Sequence, residues 1–335
     1  MGANPKIDIA ASHKAAIGCS KIAQVLGVSR WGTPYDLWAQ YTGRAPWPDL
    51  SNDLRVAIGE PMEAVLQPFV EQRLGGKLRR DRREYRHPTL PMVGHIDFRL
   101  NREAEAVIQA LGAPARDRPI VDMKTSLGFS ASRRFGEDGS DEVDYDVLLQ
   151  MHGYMLLTGA PMAYVAALVP GPELKIYTVR ADTEMQDLIE EGVEKFWWYV
   201  TSDTPPPPQN EADARRVWPR HAEGKVLEAD SELAAALRQL ANVKAQMRAL
   251  EKQEQALKNE LLPRLADYEA VMAGNQALCS YKANKDSQRT DWHLLAEEEF
   301  LPTLDPDTRD RLLAEYTTTL PGARVLRLAK SLEAS

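Results

Sequence analysis

PIVDMKTS, residues 119–126, is a short β-rich run that enters a Gly/Ser loop, and before it PMVGHIDFRL, residues 91–100, alternates like a strand. Alternation at period two puts Asp122 and Lys124 on one face of their strand. Ile120 and Val121 mark that strand as buried, and buried charges cost several kcal/mol unless they are paired or bound to a metal. Asp97 closes the sequence GHID at the end of the other strand. An aspartate followed two places on by a lysine is common by chance, and an ion pair at a strand end is the plain alternative; the apolar context gives the spacing its weight. Hydrolysis of a phosphodiester calls for these groups: hard oxygen ligands for a divalent cation, and a fixed positive charge beside them to position or polarise the attacking water.

Around these strands the first half of the chain mixes helical and strand patterns, which predicts an α/β or α+β domain. Ser20 to Leu26 reads as a short helix and PYDLWAQYTG as a second, ended by Gly43. From Ile58 to Leu74 the apolar positions Met62, Val65, Leu66, Phe69, Val70 and Leu74 recur at helical spacing, on a helix that also carries Glu60 and Glu63. Asp144 to Leu157 is a further helix stopped by Gly159, and AYVAALV and ELKIYTV form a strand pair joined by the turn PGPE.

Pro205 to Pro208 cannot continue a helix. The expected division is therefore a domain over 1–204, a Pro-rich linker over 205–224, and a C-terminal module over 225–335. In that module Leu233, Ala236, Leu240, Val243, Met247, Leu250, Leu257 and Leu261 step by threes and fours, interrupted only by Glu254, which predicts a long helix with a coiled-coil-like seam. The seam serves either a hairpin within its own domain or an oligomer contact. ALCSYKANKDSQRTDW and two shorter helical stretches complete the module, where Tyr281, Lys282 and Lys285 could contact a single strand.

Composition bounds the function. Of 335 residues, Lys and Arg number 41 against 49 Asp and Glu, a net charge of −8 that argues against a nucleic-acid partner on average. The distribution differs: RLGGKLRRDRREYR, residues 73–86, carries seven basic residues (Arg73, Lys77, Arg79, Arg80, Arg82, Arg83, Arg86) against Asp81 and Glu84, a local patch able to bind phosphates or an ordinary solvated surface. Cys19 and Cys279 are too few for a disulfide framework, a structural zinc or a four-thiolate cluster. No stretch approaches the ~20 apolar residues of a membrane helix, and MGANPKIDIAASHK lacks a signal peptide's apolar core, so a cytoplasmic protein with no membrane partner is expected.

Five motifs in order, IGCSKIAQVLGVSRWGTPYDLW (17–38), GEPMEAVLQPF (59–69), GHID (94–97), DMKTS (122–126) and QMHGYMLLTG (150–159), closely resemble the YqaJ-like viral recombinases of the lambda exonuclease family, over roughly residues 9–200. The resemblance implies a PD-(D/E)XK restriction-endonuclease-like core, a mixed central sheet flanked by helices, here extended by the helical C-terminal module. It implies Mg²⁺, replaceable by Mn²⁺, held by Glu63 (preferred over Glu60 because Glu63 follows Gly59 at the fourth place), Asp97, Asp122 and the carbonyl of Met123, with Lys124 as the catalytic lysine. Gln150 and Tyr154 resemble the Gln-x-x-x-Tyr element that orients the site and contacts DNA, and Ser20 matches a serine suited to a phosphate contact. Arg133 and Arg134, in the loop after the lysine strand, are candidates for the terminal phosphate. Two departures stand out: aspartate at 122 where the family more often has glutamate, and no evident arginine upstream of Ile17-Gly18, leaving His13 or Lys14.

The implied activity is digestion of one strand of duplex DNA from a 5′ end, leaving 3′ overhangs for a single-strand annealing partner, by an enzyme that commonly closes into rings on double-stranded DNA ends. The alternatives are a PD-(D/E)XK endonuclease, or a catalytically silent DNA-binding or scaffold protein. A helicase-associated relative with the same Gln-x-x-x-Tyr element usually carries an iron–sulfur cluster that two cysteines cannot supply.

Overall fold

The computed structural model describes residues 15–101, 118–126, 134–287, 289–318 and 326, without the side chains of Arg55 and Glu60. His13, Lys14 and Arg133, candidates for DNA contacts, lie outside the described residues. The chain divides into two units, Met1–Val217 and Trp218–Ser335, a boundary inside the stretch expected to be linker.

In the first unit the strands are β1 (Ile17–Gly18), β2 (Leu78–Arg80), β3 (Glu84–Arg86), β4 (Met92–His95), β5 (Phe98–Leu100), β6 (Ile120–Thr125), β7 (Met162–Val169) and β8 (Glu173–Arg180). A five-stranded sheet runs β2-β5-β6-β7-β8, with β6 and β7 parallel and every other neighbour antiparallel. A smaller sheet runs β1-β4-β3. PMVGHIDFRL, which reads as one strand, is therefore two: β4 belongs to the small sheet, β5 to the large one, and Ile96-Asp97 is the corner between them. Alternation in sequence records which face a side chain takes but not which strand the backbone pairs with. Met92, Val93 and Gly94 are all buried, whereas from Ile96 to Leu100 burial alternates, so the two halves meet different surroundings.

Helices cover both faces of the large sheet. One buried cluster includes Ile120, Ala163, Val165, Ala167, Leu149, Met151 and Tyr154, joining one face to the helix Tyr145–Thr158. A second includes Val121, Met123, Phe98, Leu100, Leu66 and Val70, joining the other face to the helix Gly59–Leu74. The period-two alternation of β6 thus separates Ile120 and its same-face partners Asp122 and Lys124 from Val121 and Met123. The helix Thr183–Thr201, capped by Asp182, contributes Ile189, Val193 and Phe196 to the first cluster.

Two glycines allow this packing. A Cβ at Gly153 would come within 2.3 Å of Ile22 Cδ1 and 3.2 Å of Cys19 Sγ, so the 3₁₀ turn Cys19–Lys21 and the short helix Ile22–Val25 press directly on the Tyr145–Thr158 backbone. A Cβ at Gly94 would lie 2.9 Å from both Cys19 Sγ and Leu157 Cδ1 and 3.1 Å from Tyr154 Cδ1. Close approach of backbone and side chains is what glycine permits there.

The second unit has the long helix Ser231–Leu265, capped by Asp230, as its seam predicts. An antiparallel hairpin of β9 (Ala270–Ala273) and β10 (Gln276–Ser280) follows, and later the helix Pro306–Tyr316. No helix among the described residues is long and apolar enough to cross a membrane.

Candidate active site

The pairing of β5 with β6 ends at Phe98 and Val121. Beyond that point β6 continues along β7, with Asp122, Met123 and Lys124 opposite Val165, Ala166 and Ala167, while the chain before β5 turns away into the small sheet. A fork results, and Asp97 stands in it. Its Oδ2 accepts the Met123 N–H at 3.4 Å, and its backbone carbonyl accepts the N–H of Asp81 at 3.0 Å. Because the N–H and C=O of one strand residue point to the same edge, the Met123 carbonyl also opens toward Asp97.

Asp122 is 1% exposed, and Lys124 Nζ stands 2.7 Å from its Oδ2, an ion pair without the alignment of a hydrogen bond. Burial, then repulsion by Asp122 and Glu63, pushes the Asp97 carboxyl up to about 8, against the opposing pull of Lys124 and the Met123 amide. Burial alone would lower the Lys124 ammonium; the charges of Asp122, Asp97 and Glu63 outweigh it and raise it. The cluster therefore gathers more carboxyl groups than one ammonium can keep ionised, and a divalent cation among hard oxygen donors would favour their charged forms. Asp97, Asp122, Glu63 and the Met123 carbonyl fit that role by donor chemistry. Among the described residues no three His, Cys, Asp or Glu side chains stand gathered tightly enough to enclose an ion. Glu63 is engaged elsewhere: its Oε2 accepts from Arg80 Nη2 at 2.7 Å. Sequence reasoning misses Arg80 as a site residue, although it stands in the basic run, because nothing in the spacing of residues 63 and 80 connects a helix to an edge strand.

Gln150 Nε2 donates to Tyr154 Oη at 2.8 Å, the contact expected of residues four apart on a helix. Tyr154 is buried, and burial, with the nearby charges of Asp122 and Asp97, holds its phenol well above the ordinary value, so it is neutral and next to the carboxylates. Ser20 is exposed within the 3₁₀ turn Cys19–Lys21. Arg134 is drawn to Asp144, the N-cap of the Gln150 helix, with Nε 3.3 Å from Oδ2; Arg30 pairs with the same carboxylate.

The basic run is largely neutralised by its own neighbours. Arg73 pairs with Asp138, Lys77 with Glu71, Arg80 with Glu63, Arg83 with Asp81 and Arg86 with Glu84. Arg79 and Arg82 are exposed and have no ion-pair partner among the described residues.

The first unit is a mixed sheet flanked by helices, with two aspartates and a lysine at the fork of its central strands and a glutamate on the covering helix, the arrangement that the resemblance to PD-(D/E)XK nucleases implies. The model of the YqaJ-like viral recombinase domain matches residues 10–161. The "Uncharacterized protein YqaJ" of Bacillus subtilis (strain 168) is 23% identical over 275 residues, covering 80% of each chain. Similar solved structures include an alkaline exonuclease (LHK-Exo) from Laribacter hongkongensis, with 13% identity, 58% of this chain, 92% of that chain and a TM-score of 0.43. A phage-related exonuclease from Haemophilus somnus 129PT has 15% identity, 56% and 96% coverage, and a TM-score of 0.41.

Proposed function

We propose that this chain is a divalent-metal-dependent DNA exonuclease that digests one strand of a duplex from its 5′ end and leaves 3′ single-stranded ends for recombination by annealing. The observation that carries the reading is the meeting of Asp97, Asp122 and Lys124 in the fork where β5 leaves β6. The match to the YqaJ-like viral recombinase model supports recombination as the setting, and the polarity is the one that the resemblance implies. Mg²⁺, or Mn²⁺ in its place, held by Glu63, Asp97, Asp122 and the Met123 carbonyl, would lower the pKa of a water and offset charge on the departing oxygen.

The chain's own groups divide the remaining work. Lys124, its ammonium raised by the carboxylates around it, stays protonated at neutral pH and acts as a donor and fixed charge that holds the attacking oxygen, rather than as the base. Tyr154 accepts from Gln150, which leaves the phenol hydrogen for a phosphate oxygen or a water at the same fork. Ser20 and Arg134 are proposed DNA contacts at its margin, Arg134 on release from Asp144. Duplex DNA ends, a single-strand annealing protein and further copies of the chain, closed as a ring, are the proposed partners.

The test is digestion of linear duplex labelled on each strand and 5′-phosphorylated at one end, with Mg²⁺ or with EDTA, by wild type and Lys124→Ala. Metal-dependent loss of the 5′-ended strand, abolished by the substitution, is expected. Cutting of closed circles would make the protein an endonuclease, and no cleavage would make it a silent DNA-binding fold.

A further inference from the structure

Glu63 is the one proposed ligand that comes from a helix rather than from the strand fork, and it is already occupied. Arg80 Nη2 lies 2.7 Å from Glu63 Oε2. The guanidinium stacks over the Phe98 ring with its carbon 4.9 Å from the centroid, and Phe98 is the cross-strand partner of Arg80 and the residue after Asp97. Phe98 is 1% exposed, so this ring is a fixed bed for the cation. Glu63 still lies close enough to act electrostatically on Asp97 and Lys124.

We infer that Arg80 is a latch on Glu63: its guanidinium holds the carboxylate until a divalent cation at Asp97 and Asp122 competes for it, and the freed guanidinium then faces the phosphate backbone of the bound strand. Arg80 is a positioning residue by this account, acting through Glu63. Two cations compete for one carboxylate, so cation uptake and release of the arginine are linked. The partly exposed guanidinium is a phosphate donor once freed, because its planar fork matches a phosphate as well as a carboxylate. The inference rests on the metal-site reading above, and its test separates the two.

Mn²⁺ binding to the full chain without DNA is measured by calorimetry for wild type, Arg80→Gln, Arg80→Lys and Asp97→Ala. Arg80→Gln is expected to bind Mn²⁺ several-fold more tightly than wild type, and Arg80→Lys, which keeps the charge but loses the stacked fork, to share part of that gain. Equal or weaker binding by Arg80→Gln overturns the latch. A gain in Arg80→Gln with Arg80→Lys at the wild-type value also overturns it, leaving simple repulsion between charges. Mn²⁺ binding unaffected by Asp97→Ala would instead overturn the metal-site reading itself. Binding of a short duplex completes the linkage: Mn²⁺ is expected to tighten it for wild type more than for Arg80→Gln, and equal enhancement counts against a freed arginine at the backbone.

Discussion

The strand fork and the run from Arg73 to Arg86 are both dense in charge, and they treat it in opposite ways. In the fork, Asp97 and Asp122 share the single ammonium of Lys124, with Glu63 held by Arg80 beside them, and the crowding of carboxyl groups shows as an Asp97 carboxyl pushed up to about 8. In the basic run five of the seven cations are matched by carboxylates of the same unit. Asp81 shows the contrast most clearly: burial would raise its carboxyl, but hydrogen bonds from Arg83 and Tyr85 hold it well below the usual carboxylate range. Balanced charge is structure, and unbalanced buried charge is a demand for something more.

The largest effect is expected from making the imbalance worse or removing it. Lys124→Ala should lower the digestion rate by a factor of about 10³ or more, since loss of one preorganised charge at a reacting centre costs roughly 3–4 kcal/mol of barrier. The same change strands Asp122, which is 2% exposed in its side chain, and should destabilise the fold by about 3 kcal/mol. Asp122→Asn separates the two readouts: activity should fall as far, while the urea midpoint moves much less.

A change in the balanced region should do the reverse. Asp81 accepts from Arg83 Nε and Nη2 at 2.9 and 2.8 Å, from Tyr85 Oη at 2.6 Å and from Arg99 Nε at 3.2 Å. Asp81→Ala leaves the half-buried Arg99 without that carboxylate and is expected to cost about 2–4 kcal/mol in urea denaturation. Digestion per folded molecule should change by less than threefold. A loss of activity as large as that of Lys124→Ala would merge the two regions into one site.

How much of this the residues disclose follows from the distances involved. Asp122 and Lys124 are two apart on one strand, and Gln150 and Tyr154 four apart on one helix; local periodicity sees both pairs, and both meet as expected. The corner at Ile96-Asp97 is not local, because it depends on β4 choosing β1 and β3 while β5 chooses β2 and β6. The pairing of Glu63 with Arg80 across a helix and an edge strand is likewise invisible to spacing, as is the partnering of Arg134 with Asp144. The basic run looks in sequence like a surface for phosphates because its partners Glu63, Glu71 and Asp138 lie outside it. Family resemblance, rather than periodicity, singles out Glu63.

Until Arg80 is released, what remains of the run for DNA is Arg79 and Arg82. Substituting both with alanine should weaken duplex binding uniformly across sequences and reduce the slope of log K against log salt by about 1 for each phosphate no longer neutralised, with the rate at saturating DNA unchanged. If Arg83→Ala, which removes a paired cation, lowers the slope as much, ion pairing does not decide which arginines reach the backbone.

A third way to manage buried charge is to withhold it, and His152 supplies the smallest effect. It is 4% exposed on the helix that carries Gln150 and Tyr154, and its Nδ1 has no hydrogen-bond partner among the described residues. Burial lowers its pKa from the ordinary 6.5, with Asp182 opposing only in part. The unfolded chain therefore takes up a proton from this group before the folded one does. The associated stability is present above pH ~6.5 and is lost as pH falls toward the folded value. Urea midpoints compared at pH 7.5 and 5.5 should fall further for wild type than for His152→Gln. Were the two to fall equally, His152 would be protonated in the fold, and an anion would have to face it in the cavity of about 940 Å³ that it lines with Asp182, Ser140 and Arg180.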